Sequence, residues 1–94
     1  MTSRRKLTGE EIKESLNQLN DWKHEDKFLR KSFEFKNFAD ALEFINRIGE
    51  IAEKADHHPD ITFGWGYAKI ELTTHDTGGL THNDFDVAKE IDEI

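Results

Sequence analysis

The sequence predicts an α+β domain, a four-stranded antiparallel sheet with three helices on one face, in the order αββαββα. Two observations carry this prediction. Apolar residues recur at the helical period in three separate segments of the chain. Between these segments lie two pairs of strand-like runs joined by short turns, which favour antiparallel pairing. The 94 residues have room for one such domain, which we expect to span residues 1–94 with residues 1–6 as a disordered tail.

The first helix is predicted to begin at Thr8. Thr8 and Glu11 match the capping-box pattern, in which the side chain of each residue accepts a hydrogen bond from the backbone N–H of the other. Asn20-Asp21 is expected to end the helix. Its apolar stripe consists of Ile12, Leu16 and Leu19.

The next segment is predicted to form a hairpin, with a short strand near 21–25 and a longer strand near 28–35. The polar run Glu25-Asp26-Lys27 separates the two strands. Apolar and polar residues alternate along the longer strand, as expected for a hairpin with one buried face. Its apolar face carries Leu29, Phe33 and Phe35.

The second helix is predicted to be the longest element. Asn37 is placed to cap it, and the helical period then holds over about five turns. Pro59 disfavours helical geometry at His58, so the helix must end by about Asp56 or His57. Its apolar positions are Phe38, Ala41, Leu42, Ile45, Ile48, Ala52 and Ala55.

A second hairpin and a third helix complete the predicted fold. Strands are expected at 61–63 and 67–74, separated by Gly64-Trp65-Gly66. The core face of the second strand would carry Ala68, Ile70 and Leu72. Beyond the Gly78-Gly79 loop, Thr81 is expected to cap the final helix. The apolar positions of that helix are Phe85, Ala88, Ile91 and Ile94.

The amino-acid composition argues against several classes of function. Thirteen basic and twenty acidic residues give a net charge of −7, which disfavours direct contact with nucleic acid. The absence of cysteine excludes disulfides, thiolate zinc sites and cysteine nucleophiles. No apolar run has the length of a membrane span or of a signal peptide, so a cytoplasmic protein without a membrane partner is expected. A domain this small would gain stability from oligomerisation.

The candidate site lies between residues 53 and 84, where histidines and carboxylates cluster. His57 and His58 fall where the second helix must unwind, and His75 follows a predicted strand. Adjacent side chains point about 100° apart on a helix, so this pair can share a site only at the point of unwinding. Imidazoles exchange protons near neutral pH, and the ends of helices and strands gather polar groups into clefts. The pattern indicates a site for a planar polar substrate.

A metal site and a nucleophilic serine are the alternatives for this cluster. Three histidines and a carboxylate are a legitimate ligand set for zinc or non-haem iron. However, His57 and His58 are neighbours and lack the usual spacing for converging on one ion. Neither Ser15 nor Ser32 lies in a sequence typical of a nucleophile elbow. His24 and His82 are interpreted as surface residues.

The spacing Glu53-x3-His57-His58-Pro59-x5-Trp65-x9-His75-x8-Asp84 resembles the signature of the pterin-4a-carbinolamine dehydratases. The likeness extends over nearly the whole chain from about Leu7. It implies dehydration of 4a-hydroxytetrahydropterin to quinonoid dihydropterin, which recycles the pterin used by aromatic amino acid hydroxylases. Because no redox change occurs, this hydro-lyase reaction would need neither a metal nor an organic cofactor.

The resemblance also implies roles for individual residues. His57, His58 and His75 would be catalytic, with His57 and His75 transferring protons and His58 positioning the pterin. Glu53 and Asp84 would orient the imidazoles. Apolar contact with the bicyclic ring would come from Trp22, Pro59 and Trp65.

Each supporting residue also has a purely structural interpretation. Asp84 is the third residue after Thr81 and can complete a second capping box. Glu53 lies on the polar side of the second helix and could simply be solvated. Trp22 and Trp65 could be ordinary core or rim aromatics.

The resemblance further implies a homodimer or homotetramer that binds a pterin, and the net charge of −7 disfavours direct contact with nucleic acid. The alternative function is a non-catalytic binding or assembly module on the same fold, as in relatives that act as transcription-factor dimerisation cofactors or in Rubisco assembly. The histidine cluster favours the enzyme, because a scaffold would not need it.

Overall fold

The structure, a computed structural model, describes residues 5–94 and confirms the predicted order of helices and strands. Most of the expected tail lies outside the described residues. The helices are α1 (Gly9–Leu16), α2 (Phe38–Ala55) and α3 (His82–Asp92). The strands are β1 (Lys23–Glu25), β2 (Phe28–Glu34), β3 (Asp60–Gly64) and β4 (Tyr67–Leu72). A single 3₁₀ turn at His75–Thr77, which the sequence did not predict, follows β4.

The sheet is antiparallel throughout, with the strand order β1-β2-β4-β3. The two predicted hairpins therefore meet through their inner strands, with Leu29 of β2 opposite Leu72 of β4. The buried face of these strands carries Leu29, Ala68, Ile70 and Leu72, all fully buried. The predicted alternation is confirmed along both inner strands.

All three helices pack against this one face. Ile12 of α1, Ile48 of α2 and Ile91 of α3 belong to the same buried cluster as the inward-facing residues of the sheet. The opposite face of the sheet is polar, and it carries an ion pair between Arg30 of β2 and Glu71 of β4. Within residues 5–94, no helix combines the length and the apolar character that crossing a membrane requires.

Two helices end earlier than predicted. Beyond Leu16 the chain tightens, and the N–H of Leu19 bonds to the carbonyl of Leu16 rather than continuing α1. Ile94 was wrongly assigned to the last helix. It follows the end of α3, makes the same short bond to the Ile91 carbonyl and is 42% exposed.

The predicted apolar stripe of α2 is only partly buried. Phe38 and Leu42, one turn apart, are 45% and 40% exposed. The Phe38 ring packs on Phe63 of β3, with ring centroids 5.6 Å apart. An apolar strip at the start of α2 thus faces away from the core.

Both predicted capping boxes are present. In the first, the Thr8 hydroxyl accepts from the N–H of Glu11 at 3.2 Å, and Glu11 accepts from the N–H of Thr8 at 2.9 Å. Arg5 adds two hydrogen bonds to the Glu11 carboxylate, at 2.7 and 2.8 Å. The Arg5 guanidinium and the Thr8 N–H together lower the pKa of Glu11 to about 2.

Asp92, at the last turn of α3, joins three parts of the chain. Its carboxylate accepts from the indole N–H of Trp22 at 2.9 Å, from Lys31 at 2.8 Å and from the backbone N–H of Asn20 at 3.1 Å. Trp22 is a buried core residue as a result. This network fixes the C-terminal end of α3 against the start of the first hairpin.

Candidate active site

The end of α2 determines where the two adjacent histidines point. Asp56 adopts a left-handed conformation (φ 51°), and the N–H of His57 bonds back to the carbonyl of Ala52 at 3.1 Å. This six-residue closure is a Schellman motif, and Pro59 keeps the chain from resuming the helix. His57 is consequently buried, while the next residue, His58, is exposed.

Asp84, which is fully buried, holds the ring of His57. The distance between Nε2 of His57 and Oδ1 of Asp84 is 2.6 Å. The other oxygen, Oδ2, accepts from the backbone N–H of Thr81 at 2.9 Å and from the hydroxyl of Thr74 at 2.8 Å. Three donors therefore converge on one carboxylate, which satisfies a buried charge that would otherwise be costly.

The direction of each hydroxyl bond follows from counting donors. Thr74 has one hydroxyl proton, and a carboxylate can only accept, so Thr74 donates to Asp84. The second contact of Thr74, 2.9 Å from the Thr81 hydroxyl, must then be donated by Thr81. Thr81 in turn accepts from the N–H of Asn83 at 3.2 Å. The chain of donors runs from Thr81 through Thr74 to Asp84.

The same counting fixes the proton on His57. Because the Asp84 carboxylate is an acceptor, the ring nitrogen facing it, Nε2, carries a proton. In the neutral ring Nδ1 is then the free acceptor, and in the imidazolium it is a donor. Nδ1 is therefore the nitrogen with which His57 can exchange a proton with a ligand.

His58 forms a second histidine–carboxylate pair of a different kind. Its Nε2 lies 2.5 Å from Oε2 of Glu53, which is on the last turns of α2. Both side chains are largely exposed, His58 by 52% and Glu53 by 79%. An exposed pair of this type holds its ring only weakly, because water competes for both partners.

His75 lies close to Asp84 because it follows Thr74 in the chain. It directly follows Thr74, whose hydroxyl binds Asp84, and consecutive Cα atoms are about 3.8 Å apart. His75 opens the 3₁₀ turn and is exposed, and its ring makes no hydrogen bond within residues 5–94. Both of its ring nitrogens are accordingly available to a ligand.

Within one chain, Pro59 lies beside the histidines and Trp65 does not. Pro59 precedes β3, beside His58, whereas Trp65 follows β3 at the tip of the second hairpin. The strand between them spans roughly 15–20 Å. Trp65 is 73% exposed at that distant end.

Trp22 is also outside the cluster. Its indole nitrogen is bound to Asp92, eight residues along α3 from Asp84. Eight residues of helix correspond to about 12 Å. The sequence could not exclude Trp22, because the pairing of its indole depends on a partner seventy residues away.

Thr74 is the residue that the sequence reasoning missed as a site residue. One signal could have found it. Thr74 is two residues beyond Leu72, so the strand alternation places both on the buried face of β4. A buried hydroxyl needs a partner, and the nearby histidines and Asp84 are the polar residues it could meet.

Two other features bear on the choice of site. Among residues 5–94, no three His, Cys, Asp or Glu side chains are grouped so that they could hold a metal ion. A depression of about 660 Å³ lies over strands β1, β2 and β4, lined in part by Lys23, Arg30 and Glu71. It contains no histidine, and Arg30 and Glu71 are already paired with each other. The histidine cluster is therefore the better candidate for chemistry.

Comparison with known proteins agrees with this choice. A sequence model of the family described as "Pterin 4 alpha carbinolamine dehydratase" matches residues 5–94. A Rubrobacter xylanophilus protein provisionally named pterin-4-alpha-carbinolamine dehydratase is 49% identical over 89 residues, covering 94% of this chain and 83% of its own. A Picosynechococcus protein with the same provisional name is 45% identical, covering 95% of this chain and 97% of its own.

Two solved structures are similar in fold. The crystal structure of a "transcriptional coactivator/pterin dehydratase" from Brucella melitensis has a TM-score of 0.90 and 32% identity, covering 95% of this chain and 97% of its own. A pterin dehydratase-like protein identified as a RuBisCO assembly factor in the alpha-carboxysome has a TM-score of 0.65 at 24% identity, covering 80% and 87%. The second likeness shows the fold alone.

Proposed function

The chain belongs to the pterin 4 alpha carbinolamine dehydratase family, and we propose that it dehydrates 4a-hydroxytetrahydropterin to quinonoid dihydropterin by histidine acid–base catalysis, in tetrahydropterin recycling. The observation that carries the proposal is the buried pair of His57 and Asp84. It leaves one ring nitrogen of His57 for proton exchange.

The reaction breaks the C4a–O bond and loses the N5 proton. An acid protonates the leaving hydroxyl, the lone pair of N5 helps to expel it as water, and a base then removes the proton from N5. A positioned imidazole serves either step near neutral pH, contributing on the order of 10²–10⁴-fold to the rate. No electrons leave the pterin, so the histidines have only protons to move.

His57 and His75 are assigned the proton transfers. His57 offers Nδ1 because Asp84 occupies Nε2, and His75 has both ring nitrogens available. Asp84 bonds to both His57 and Thr74, and His75 directly follows Thr74 in the chain, which supports the two histidines acting on one ligand. The roles of acid and base are assigned to the two histidines together rather than to one ring.

His58 is assigned to positioning the pterin, with Glu53 orienting its ring and Pro59 contacting the substrate. The exposure of this pair supports a binding role, because an exposed ring can adjust to a ligand at little cost. Apolar contact with the pterin by Trp22 or Trp65 is not included in the proposal, since neither reaches the cluster within one chain.

The test follows decay of enzymatically generated 4a-hydroxytetrahydropterin. Wild type should accelerate the decay, and the His57→Ala, His75→Ala double variant should return it to the spontaneous rate. His24→Ala is the matched control, because His24 is an exposed histidine on β1. A wild type that leaves the decay at its spontaneous rate would refute the dehydratase function.

We also propose that the protein forms a homo-oligomer. The exposed strip of Phe38 and Leu42 supports it, since large apolar side chains left in water favour association. Sedimentation velocity should show a dimer or larger species, and Leu42→Glu should shift the distribution toward monomer. A monomeric wild type at micromolar concentration would contradict this part of the proposal. A cytoplasmic location stays a prediction.

A further inference from the structure

We infer that Thr74 is a positioning residue, whose hydroxyl holds the Asp84 carboxylate so that the His57 proton stays on Nε2 and Nδ1 faces the substrate. The inference rests on the proposed function, because it concerns a histidine assigned to proton transfer. The position of the His57 proton can be measured in the resting protein, without any substrate.

The backbone of Thr74 is itself fixed. Its N–H bonds to the carbonyl of Gly79 at 3.2 Å, forming an isolated antiparallel bridge beyond the end of β4. Thr77 in the intervening turn shares its one hydroxyl proton between the carbonyls of Thr74 and Gly79, both at 3.1 Å. The side chain of Thr74 is 3% exposed, so its hydroxyl cannot exchange Asp84 for water.

The hydroxyl acts on the rotation of the Asp84 side chain. Oδ2 is held by two donors from different elements, the N–H of Thr81 before α3 and the hydroxyl of Thr74 after β4. Two fixed donors on one oxygen determine the plane of the carboxylate, and Oδ1 is thereby aimed at His57. The backbone N–H alone would leave the carboxylate free to turn about its Cβ–Cγ bond.

Loss of the Thr74 hydroxyl also releases a competitor. In the wild type the Thr81 hydroxyl donates to Thr74. Without that acceptor it needs another, and the Asp84 carboxylate, which already accepts from the Thr81 N–H, can provide it. A carboxylate that rotates toward Thr81 holds His57 less well. The ring can then place its proton on Nδ1, which removes the acceptor that the reaction needs.

The experiment compares Thr74→Val, which keeps the shape and loses the hydroxyl, with Thr74→Ser, which keeps the hydroxyl. Thr73→Val is the matched control, because the adjacent Thr73 hydroxyl donates instead to the carbonyl of Lys27, at 2.6 Å. The ¹⁵N chemical shifts of the His57 ring, recorded at alkaline pH where imidazole is neutral, identify the protonated nitrogen. Steady-state kinetics give kcat and KM separately.

Wild type, Thr74→Ser and Thr73→Val should show His57 protonated on Nε2. Thr74→Val should show a mixture of tautomers. Its kcat should fall on the order of 10-fold, the scale expected when a group that orients a histidine is removed. Its KM should change by less than about 2-fold, because Thr74 is buried and its hydroxyl is bound to Asp84.

Three results would overturn the inference. They are a wild-type His57 protonated on Nδ1, a Thr74→Val tautomer indistinguishable from wild type, and an equal loss in Thr74→Ser. If Thr74→Val does not fold, Thr74→Cys replaces it under the same criteria, since a thiol is a weak donor, and the wild-type tautomer still decides. A wild type with the Nε2–H ring but no acceleration of carbinolamine decay would refute the function and leave the role of Thr74 standing.

Discussion

The two capping boxes of this chain have the same local pattern and different surroundings. At the start of α1, the Glu11 carboxylate accepts hydrogen bonds from the backbone N–H of Thr8 and from the Arg5 guanidinium. At the start of α3, one oxygen of Asp84 accepts from the backbone N–H of Thr81, and the other oxygen contacts His57. One acid meets a permanent cation at the surface, and the other meets a titratable ring in the core.

The difference shows how the same structural motif can also hold a residue of the candidate active site. The cap places a carboxylate at a helix N-terminus, where the backbone N–H groups already favour a negative charge. Glu11 is partly exposed and its guanidinium partner never releases a proton. Asp84 is fully buried, and its partner is the imidazole of His57, which it holds through Nε2.

The largest expected effect is the loss of activity when Asp84, the acid of the buried capping box, is changed. Asp84→Asn keeps the shape of the side chain but offers an amide where His57 and Thr74 both need an acceptor. The expected loss in kcat is on the order of 100-fold or more, as when an orienting carboxylate is replaced by its amide. The measurement is the decay assay, with folding checked by circular dichroism.

Glu11→Gln is the control for that experiment, because it makes the same chemical change in the other box. Its kcat should equal that of wild type. A comparable loss in both variants would mean that the two boxes do not differ in function and that a general effect on the fold is responsible.

A smaller effect is expected on stability. Thr81→Ala removes a fully buried hydroxyl that binds both Thr74 and the N–H of Asn83, and should lower the free energy of unfolding by about 1–3 kcal/mol. Thr8→Ala removes an exposed cap and should cost about 0.5–1 kcal/mol. Urea denaturation of both variants measures the difference. Equal losses of unfolding free energy in the two variants would show that burial does not make the Thr81 cap more stabilising than the Thr8 cap.

The smallest effect concerns pH and belongs to the exposed box. The pKa of Glu11 is lowered to about 2 by Arg5 and the Thr8 N–H, so the stabilisation it contributes is present above the unfolded pKa. That contribution is lost as the pH falls through the folded pKa, near 2. NMR titration of the Glu11 carboxylate measures the value directly, and Arg5→Ala should raise it toward the ordinary glutamate range. An unchanged titration in Arg5→Ala would show that the guanidinium is not the cause.

Most of the fold was predictable because its signals are local. The Thr8 and Thr81 caps, the Pro59 stop and the alternation around Ile70 each depend on a few neighbouring residues, and all were confirmed. The predicted ends of α1 and α3 were less accurate. Beyond each helix the backbone N–H bonds to the carbonyl three residues earlier, and no residue type in the sequence predicts that change.

The candidate site was predictable only in part, because its contacts join distant segments. The pairing of His57 with Asp84 spans twenty-seven residues and was expected only through the family resemblance. The partners of Trp22 and Thr74 required knowing which strand ends and helix ends meet. The position of Trp65 was set by the length of β3, which places the hairpin tip far from the histidines.

The two attachments of α1 have a consequence for how the molecule opens. At one end the N–H of Leu7 bonds to the carbonyl of Leu80, just before α3, and at the other end the N–H of Asn20 bonds to Asp92, in the last turn of α3. The segments before and after α1 are therefore bonded to the two ends of α3. In native-state hydrogen exchange, the amides of Leu7 and Asn20 should exchange with the same opening free energy as those of α3. Amides near the chain's beginning, usually the first to exchange, would here report the global unfolding of the domain.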